Sequence, residues 1–187
     1  MLAVLNKNVL IGTVGYHLLS NHSVGPILLP QIQSIPWDGS VTVEEMNWGP
    51  IAIVQYFQTL KKPFDRVIFL VAIERPERKI GDISIFQWMG HLPFEKQIQA
   101  CIGDAATGVI SVENLLVIGE HFKIWPEEVF LVDVEPGAEQ SGEHLTAEVD
   151  AKIPEILLIL KDLEHKPTID LASKKLRGDT LLSLIHI

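Results

Sequence analysis

The chain has 187 residues, of which 47% are hydrophobic, and its 24 acidic and 15 basic residues give a formal net charge of −9. This length and apolar content indicate one well-packed domain and argue against a disordered chain. The negative charge disfavours a nucleic-acid partner, because proteins that follow a phosphate backbone carry clustered positive charge. Cys101 is the only cysteine, which excludes an internal disulfide and a cysteine-rich zinc site. No basic residue flanks it, so we expect a buried structural thiol.

Two features of the sequence bear on location. No apolar run reaches the roughly 18 residues that a membrane-spanning helix needs. Residues 1–15, MLAVLNKNVLIGTVG, lack the basic region and small-residue cleavage site of a secretory signal. We therefore expect a cytoplasmic protein without a membrane partner.

The first half of the chain alternates strand-like and helix-like segments. Residues 8–15 are an apolar run that closes on glycines, which predicts a buried strand. A helix is predicted in residues 23–35, an alternating strand at 40–46 and a second helix at 49–60; each helix has a proline near its start. Residues 65–73 form a continuous apolar run, which is typical of a strand covered on both faces of a parallel sheet.

The second half continues the alternation. Residues 81–88 alternate and predict a further strand that fits a sheet edge. Residues 93–122 are helical in pattern, with interruptions near Gly103 and Gly108. The remaining predicted elements are a buried strand at 127–136 and a helix at 145–163.

This order of elements predicts the fold class and the place of a ligand site. It favours a three-layer α/β/α sandwich of the phosphorylase/hydrolase-like type, with a mainly parallel, doubly wound sheet of about five strands. We assign the domain to residues 1–162. Ligands of such sheets bind beyond the carboxyl ends of the strands. The segments expected there are 15–25, 44–49, 71–75, 104–111 and 133–136.

Nucleotide binding and serine or cysteine hydrolysis find little support. The run GTVG at 12–15 spaces its glycines as G-x-x-G rather than as the dinucleotide fingerprint, and no P-loop lysine pattern is present. No Ser-His-Asp or Cys-His set is placed for nucleophilic attack.

The order of motifs resembles the hydrogenase maturation endopeptidases, which trim the C-terminal extension of the nickel–iron hydrogenase large subunit. The matching stretches are VLIGTVGYHLLSNHSVGP, EEMNWGPIAIVQYF, DRVIFLVAIERPERKIGDISIF and EEVFLVDVEPGAEQSGEHLTAEVDAKIPEIL. The resemblance runs from about Val9 to Leu160. It implies a large-subunit precursor, or another metalloenzyme subunit, as the partner.

The resemblance also implies a cleft that reads nickel carried by the substrate subunit, and here the chain departs from the family. The family's ligands are an acid in the first loop, an aspartate ending the third strand and a downstream histidine. The corresponding positions are His22, Val71 and residues 104–111, which contain no histidine. Valine has no donor atom for a metal, so the resemblance is to a divergent member of the family that lacks the usual ligands.

Polar residues on the same rim are candidates for a remnant metal site. His22, Glu74 and Asp104 form a set that can hold a divalent ion. The alternative is structural: Glu74 pairs with Arg75 or Arg78, Asp104 caps a helix and His22 is a solvated loop residue. The other residues expected to line the cleft are Gly15, Asn21, Trp48, Gly49, Val71 and Glu135.

The end of the chain is treated separately. Residues 163–187 lack a clear period and are expected to form a loose tail. The last six, LSLIHI at 182–187, look like the translation of a sequencing adapter, so the natural terminus is expected elsewhere.

Three functions remain open from the sequence. The first is a maturation endopeptidase with altered metal chemistry. The second is a non-catalytic binding or chaperone relative with a degenerate metal site, and the third is a small-molecule binding domain that uses the same cleft.

Overall fold

The computed structural model describes residues 7–109, 111–167 and 173–178. A short 3-10 turn at Ser20–Ser23 precedes the first helix. The strands are β1 Asn8–Thr13, β2 Ser40–Glu45, β3 Arg66–Ala72, β4 Ile83–Trp88, β5 Glu128–Val134 and β6 Lys174–Leu176. The helices are α1 Val24–Gln33, α2 Pro50–Thr59, α3 Glu95–Ala106, α4 Val112–His121, α5 Ala147–Asp150 and α6 Ile153–His165. No helix within these ranges is both long and apolar enough to cross a membrane.

One six-stranded sheet, in the order β2-β1-β3-β5-β4-β6, forms the middle layer. The strands β2, β1, β3 and β5 run parallel, whereas β4 runs antiparallel to β5. The helices that join the parallel strands cover both faces, which confirms the predicted doubly wound α/β class.

Two apolar clusters hold the layers together, because alternate residues of each buried strand point to opposite faces. On one face, residues from α2, α3 and α4 share a cluster with Leu10, Phe69 and Leu131. On the other face, residues from α1, α5 and α6 share a cluster with Ile11, Ile68 and Val132. All six of these strand residues are fully buried, as the continuous apolar runs predicted.

The helical region predicted at 93–122 is two helices, α3 and α4. The break falls at Gly108, whose φ of +84° is a left-handed conformation that favours glycine. The predicted interruption near Gly103 is wrong, since this residue lies inside α3. Ser111 caps the start of α4, because its Oγ accepts a hydrogen bond from the backbone N–H of Asn114.

The end of the fold differs from the sequence prediction. The helix α6 continues to His165, and Lys174–Leu176 add a parallel strand beside β4. The prediction of a loose tail from residue 163 is therefore wrong for these segments. The predicted edge position of the strand at 81–88 is wrong as well, because β6 lies outside β4. A three-residue strand with two lysines has no apolar alternation, and only backbone pairing with β4 defines it. The expected adapter residues 182–187 lie outside the described ranges.

Arg66, the first residue of β3, is fully buried at the amino ends of the parallel strands, opposite the expected ligand site. Its Nε donates to Oε2 of Glu128 at 2.8 Å, and its Nη1 donates to the carbonyls of Leu163 and, at 2.9 Å, Lys166. Lys7 pairs with the same glutamate at 2.6 Å. One guanidinium thus joins β3 and β5 to the end of α6, where helix carbonyls otherwise lack partners.

We expect Arg66→Met to lower the free energy of unfolding by about 2 to 4 kcal/mol, because it leaves buried carbonyls unsatisfied. Urea unfolding followed by circular dichroism measures the change. Lys61→Met, at an exposed position, is the control and is expected to change stability by less than about 0.5 kcal/mol. Equal stability of the two variants would contradict the structural role of Arg66.

Candidate functional site

A cavity of about 230 Å³ opens at the carboxyl ends of the central strands β1 and β3. Its walls come from the loop after β1, the end of β3 and the start of α4. The residues that line it are Val14, Gly15, Tyr16, His22, Val71, Ala72, Ile73, Glu74, Ser111, Val112, Glu113 and Glu139. It lies where a doubly wound sheet is expected to bind its ligand.

The loop after β1 turns sharply because Gly15 lies against the backbone of His22. A Cβ atom at Gly15 would be 2.7 Å from the His22 carbonyl oxygen, which is closer than real side chains approach. The backbone N–H of Gly15 donates to Oδ1 of Asn47 at 2.9 Å, which fixes the loop to the end of β2. His22 is half-buried and is thereby placed in the cavity wall.

A second loop, residues 136–146, braces the first from outside. Ser20 donates its backbone N–H to the carbonyl of Gly142, whose own N–H donates to Leu18, both at 2.9 Å. Leu18 and Ser20 have φ values of +63° and +47°. Such left-handed conformations are unfavourable for these residue types, and the two backbone hydrogen bonds help to hold them.

Four of the predicted site residues meet around this cavity: Gly15, His22, Val71 and Glu74. The segment 104–111 contributes Ser111, while Asp104 is exposed in the last turn of α3 and is absent from the cavity wall. Within the described ranges, no three His, Cys, Asp or Glu side chains are grouped as a metal site requires. The structure therefore does not assemble the predicted set of His22, Glu74 and Asp104.

Four other residues predicted to line the cleft are not among those in the cavity wall. Asn21 is buried, and its side chain donates to the Pro136 carbonyl at 2.9 Å and accepts from the N–H of Thr146 at 2.8 Å. It therefore ties the two loops together. Trp48 is 40% exposed and packs edge-to-face on Tyr56, with ring centroids 5.3 Å apart. Gly49 is the residue before α2 and also lies outside the cavity wall.

The fourth residue, Glu135, belongs to a buried charge cluster at the end of β5. Its carboxylate accepts hydrogen bonds from the backbone N–H groups of Arg75 and Gly137 at 2.9 and 3.2 Å. Asp133, which is fully buried, pairs with Arg75 at 2.6 Å and with Arg78 at 3.3 Å. The arginines therefore engage β5, and the alternative in which one of them pairs with Glu74 is wrong.

The cavity is acidic, because Glu74, Glu113 and Glu139 line it together with His22 and no lysine or arginine does. Such a surface repels phosphate and other anions, which disfavours a nucleotide ligand in this cavity. Glu113 and Glu139 were missed because the predicted segments stop two residues before the first and three before the second.

The serine in the cavity wall has a structural role. The hydroxyl of Ser111 donates to Glu113 at 2.8 Å and accepts from the N–H of Asn114, which accounts for its role as the cap of α4. Cys101 is buried, and this burial, with Asp104 adding to it, raises the pKa of the thiol. A raised pKa disfavours the thiolate, as expected of a structural cysteine.

We expect Gly15→Ala to destabilise the first loop and cost about 1 to 3 kcal/mol, because the added methyl group overlaps the His22 carbonyl. Gly49→Ala is the matched control, since a Cβ there meets nothing within 4 Å, and its expected cost is below about 1 kcal/mol. Thermal unfolding of both variants measures the difference. Equal melting temperatures would show that the loop does not require this close approach.

No protein-family model and no curated protein matches the chain in sequence. Solved structures do match in shape. An endopeptidase from Escherichia coli aligns with a TM-score of 0.62 and 18% identity over 83% of this chain and 91% of its own. The hydrogenase maturating endopeptidase HybD of E. coli aligns with a TM-score of 0.56 and 20% identity over 82% of this chain and 89% of its own.

A third match comes from a different organism. The nickel–iron hydrogenase maturation protease HybD of Thermococcus kodakarensis aligns with a TM-score of 0.55 and 17% identity over 86% of this chain and its own full length. Identities this low establish the architecture alone. The chain therefore has the fold of the hydrogenase maturation endopeptidases.

Proposed function

We propose that this chain is a hydrogenase maturation protease-like protein that receives the C-terminal part of a nickel–iron hydrogenase large-subunit precursor, or of another metalloenzyme subunit. The observation that carries the proposal is the meeting of His22, Val71 and Ser111 around one cavity in a chain with this fold. These are the positions at which the sequence resemblance expects the family's cleft. Trimming of the precursor's C-terminal extension, in the cytoplasm, is the reaction that the resemblance implies.

The residues present do not fit the nickel site that the resemblance implies. Val71 supplies no ligand, and residues 104–111 supply no histidine. The described part of the chain also holds no grouped set of three metal-binding side chains. We therefore derive no step through a metal, and propose that the cavity recognises the polypeptide rather than the metal centre it carries.

A second candidate function is binding without cleavage, as in a chaperone for the same subunit. The observation that favours it is the state of the groups in the cavity. Ser111 is engaged as a helix cap, and its hydroxyl donates a hydrogen bond to the carboxylate of Glu113. His22 has no side-chain hydrogen bond to either residue within the described ranges, so these residues form no Ser–His pair of the kind that serine hydrolases use.

The first test uses a purified large-subunit precursor and the same subunit without its C-terminal extension. We expect the precursor to bind at least about tenfold more tightly, a difference of about 1.4 kcal/mol, because the extension occupies the cavity. Calorimetry measures the affinities, and mass spectrometry of the mixture separates trimming from binding alone. Equal affinity for both forms would contradict the proposal.

The second test compares nickel-loaded and nickel-free precursor. We expect the two affinities to agree within about twofold, because the residues at the family's ligand positions do not form a nickel site. His22→Ala is expected to leave this ratio unchanged. A tenfold preference for the nickel-loaded form that disappears in His22→Ala would show that the cavity reads the metal after all.

A further inference from the structure

The glutamates of the candidate cavity have no cationic partner in the described part of the chain. Glu74, Glu113 and Glu139 line the cavity, and none of them forms an ion pair within those ranges. Among the described residues of the wall, only His22 can carry a positive charge. With ionised glutamates the wall therefore keeps a net negative charge even when this histidine is protonated.

The cations of the neighbouring segments lie outside the wall. Arg75 and Arg78 direct their guanidinium groups to the buried aspartate of β5, at 2.6 and 3.3 Å. Lys79 and His144 are exposed, and neither lines the cavity. His17 pairs with a glutamate at the end of β2, at 2.7 Å. These groups therefore do not neutralise the glutamates that face the cavity.

Glu113 is a carboxylate that a bound cation would stabilise. It lines the cavity although only 8% of the residue is exposed. Its Oε2 accepts a hydrogen bond from the neutral hydroxyl of Ser111 at 2.8 Å, and its Oε1 has no partner among the described residues. Burying a carboxylate is unfavourable unless a positive group or further hydrogen bonds offset the loss of water. A cation in the cavity supplies both.

The spacing of the glutamates and the size of the cavity select the kind of cation. Within the described ranges, no three acidic, histidine or cysteine side chains are close enough together to hold a metal ion. A guanidinium spreads five N–H donors over a planar fork, so it reaches acceptors that are too far apart for one metal ion. The cavity of about 230 Å³ is smaller than the roughly 300 Å³ at which pockets for whole small molecules begin, which favours a single side chain.

We propose that the cavity binds the side chain of an arginine in the partner polypeptide. This inference rests on the proposed function, which brings the C-terminal part of the partner to the cavity. Val14, Val71 and Val112 are buried in the wall and offer apolar contacts to the methylene groups of arginine. The glutamates accept hydrogen bonds from the guanidinium, which are among the stronger ones in proteins. The cavity thus recognises a charged side chain where the resemblance expects a metal.

The first experiment titrates Nα-acetyl-arginine methylamide into the full chain and follows the backbone amide signals by NMR. Gly15 and Ser111 report on the cavity, and Gly49, outside its wall, is the internal reference. We expect saturable shifts at the first two residues only. The corresponding citrulline compound, which carries an uncharged group of similar shape, is expected to bind at least about fivefold more weakly, because it lacks the charge that the carboxylates attract.

Variants test which carboxylates act. Glu113→Gln and Glu139→Gln each remove one charge with little change of shape, and we expect each to weaken binding of the arginine compound at least about threefold. Glu143→Gln is the matched control, since it is exposed on the same loop as Glu139 but outside the cavity wall, and we expect a change below about 1.5-fold. Because Glu139 is exposed, its variant tests the proposal even if Glu113→Gln lowers stability.

A second experiment replaces the arginines in the C-terminal part of the precursor by glutamine, and we expect at least about tenfold weaker binding to the chain. Unchanged binding would overturn the inference and leave the proposed function intact. Binding of the arginine compound without any binding of the precursor would instead contradict the proposed function and keep the guanidinium site. Three results of the first experiment also overturn the inference: no saturable shift at the cavity amides, equal affinity for the citrulline compound, or equal effects of Glu139→Gln and Glu143→Gln.

Discussion

The in-register parallel pairing of β1, β3 and β5 is the constraint on which the candidate site depends. Val71 of β3 pairs with Asp133 of β5, and Thr13 of β1 pairs with Leu70, so the three strands end at nearly the same level. Loops that are distant in sequence must therefore meet at one edge. A shift of one residue in this register would turn buried side chains to the wrong face, which the two apolar clusters prevent.

Buried polar contacts then give that edge its shape. The Asp133–Arg75–Arg78 cluster holds the segment between β3 and β4 against β5, and Asn21 holds the loop after β1 against residues 136–146. The amide of Asn21 is satisfied by its partners, whereas the charge cluster keeps four buried atoms without a hydrogen-bond partner, namely Arg75 Nη2, Arg78 Nε, Arg78 Nη1 and Asp133 Oδ1, and it is held by charge pairing. The rigid frame thus leaves only the inner faces of the loops to determine what binds.

The same architecture supports different chemistry when the side chains at the strand ends change. Here a valine lies where the resemblance expects an acid, and glutamates enter from α4 and from the loop after β5. The resulting cavity keeps its place in the fold but presents carboxylates, one histidine and an apolar floor. The fold therefore does not determine the function of this protein, which has to be argued from the residues of the site.

The sequence by itself determined the α/β class, every strand of the parallel part of the sheet and the meeting of Gly15, His22, Val71 and Glu74. Local hydrophobic runs are enough to identify the strands. Because the carboxyl ends of parallel strands lie at the same end of the sheet, the loops that follow them are then expected to meet. Only the tertiary structure decided the roles of Asn21 and Glu135, which brace the fold instead of facing a ligand. The hydrogen bond from Thr146 to Asn21 spans 125 residues, and no local pattern encodes such a partner. The local sequence likewise does not reveal β6, which is defined by its pairing with β4. It also does not reveal that Asp104 lies outside the cavity wall.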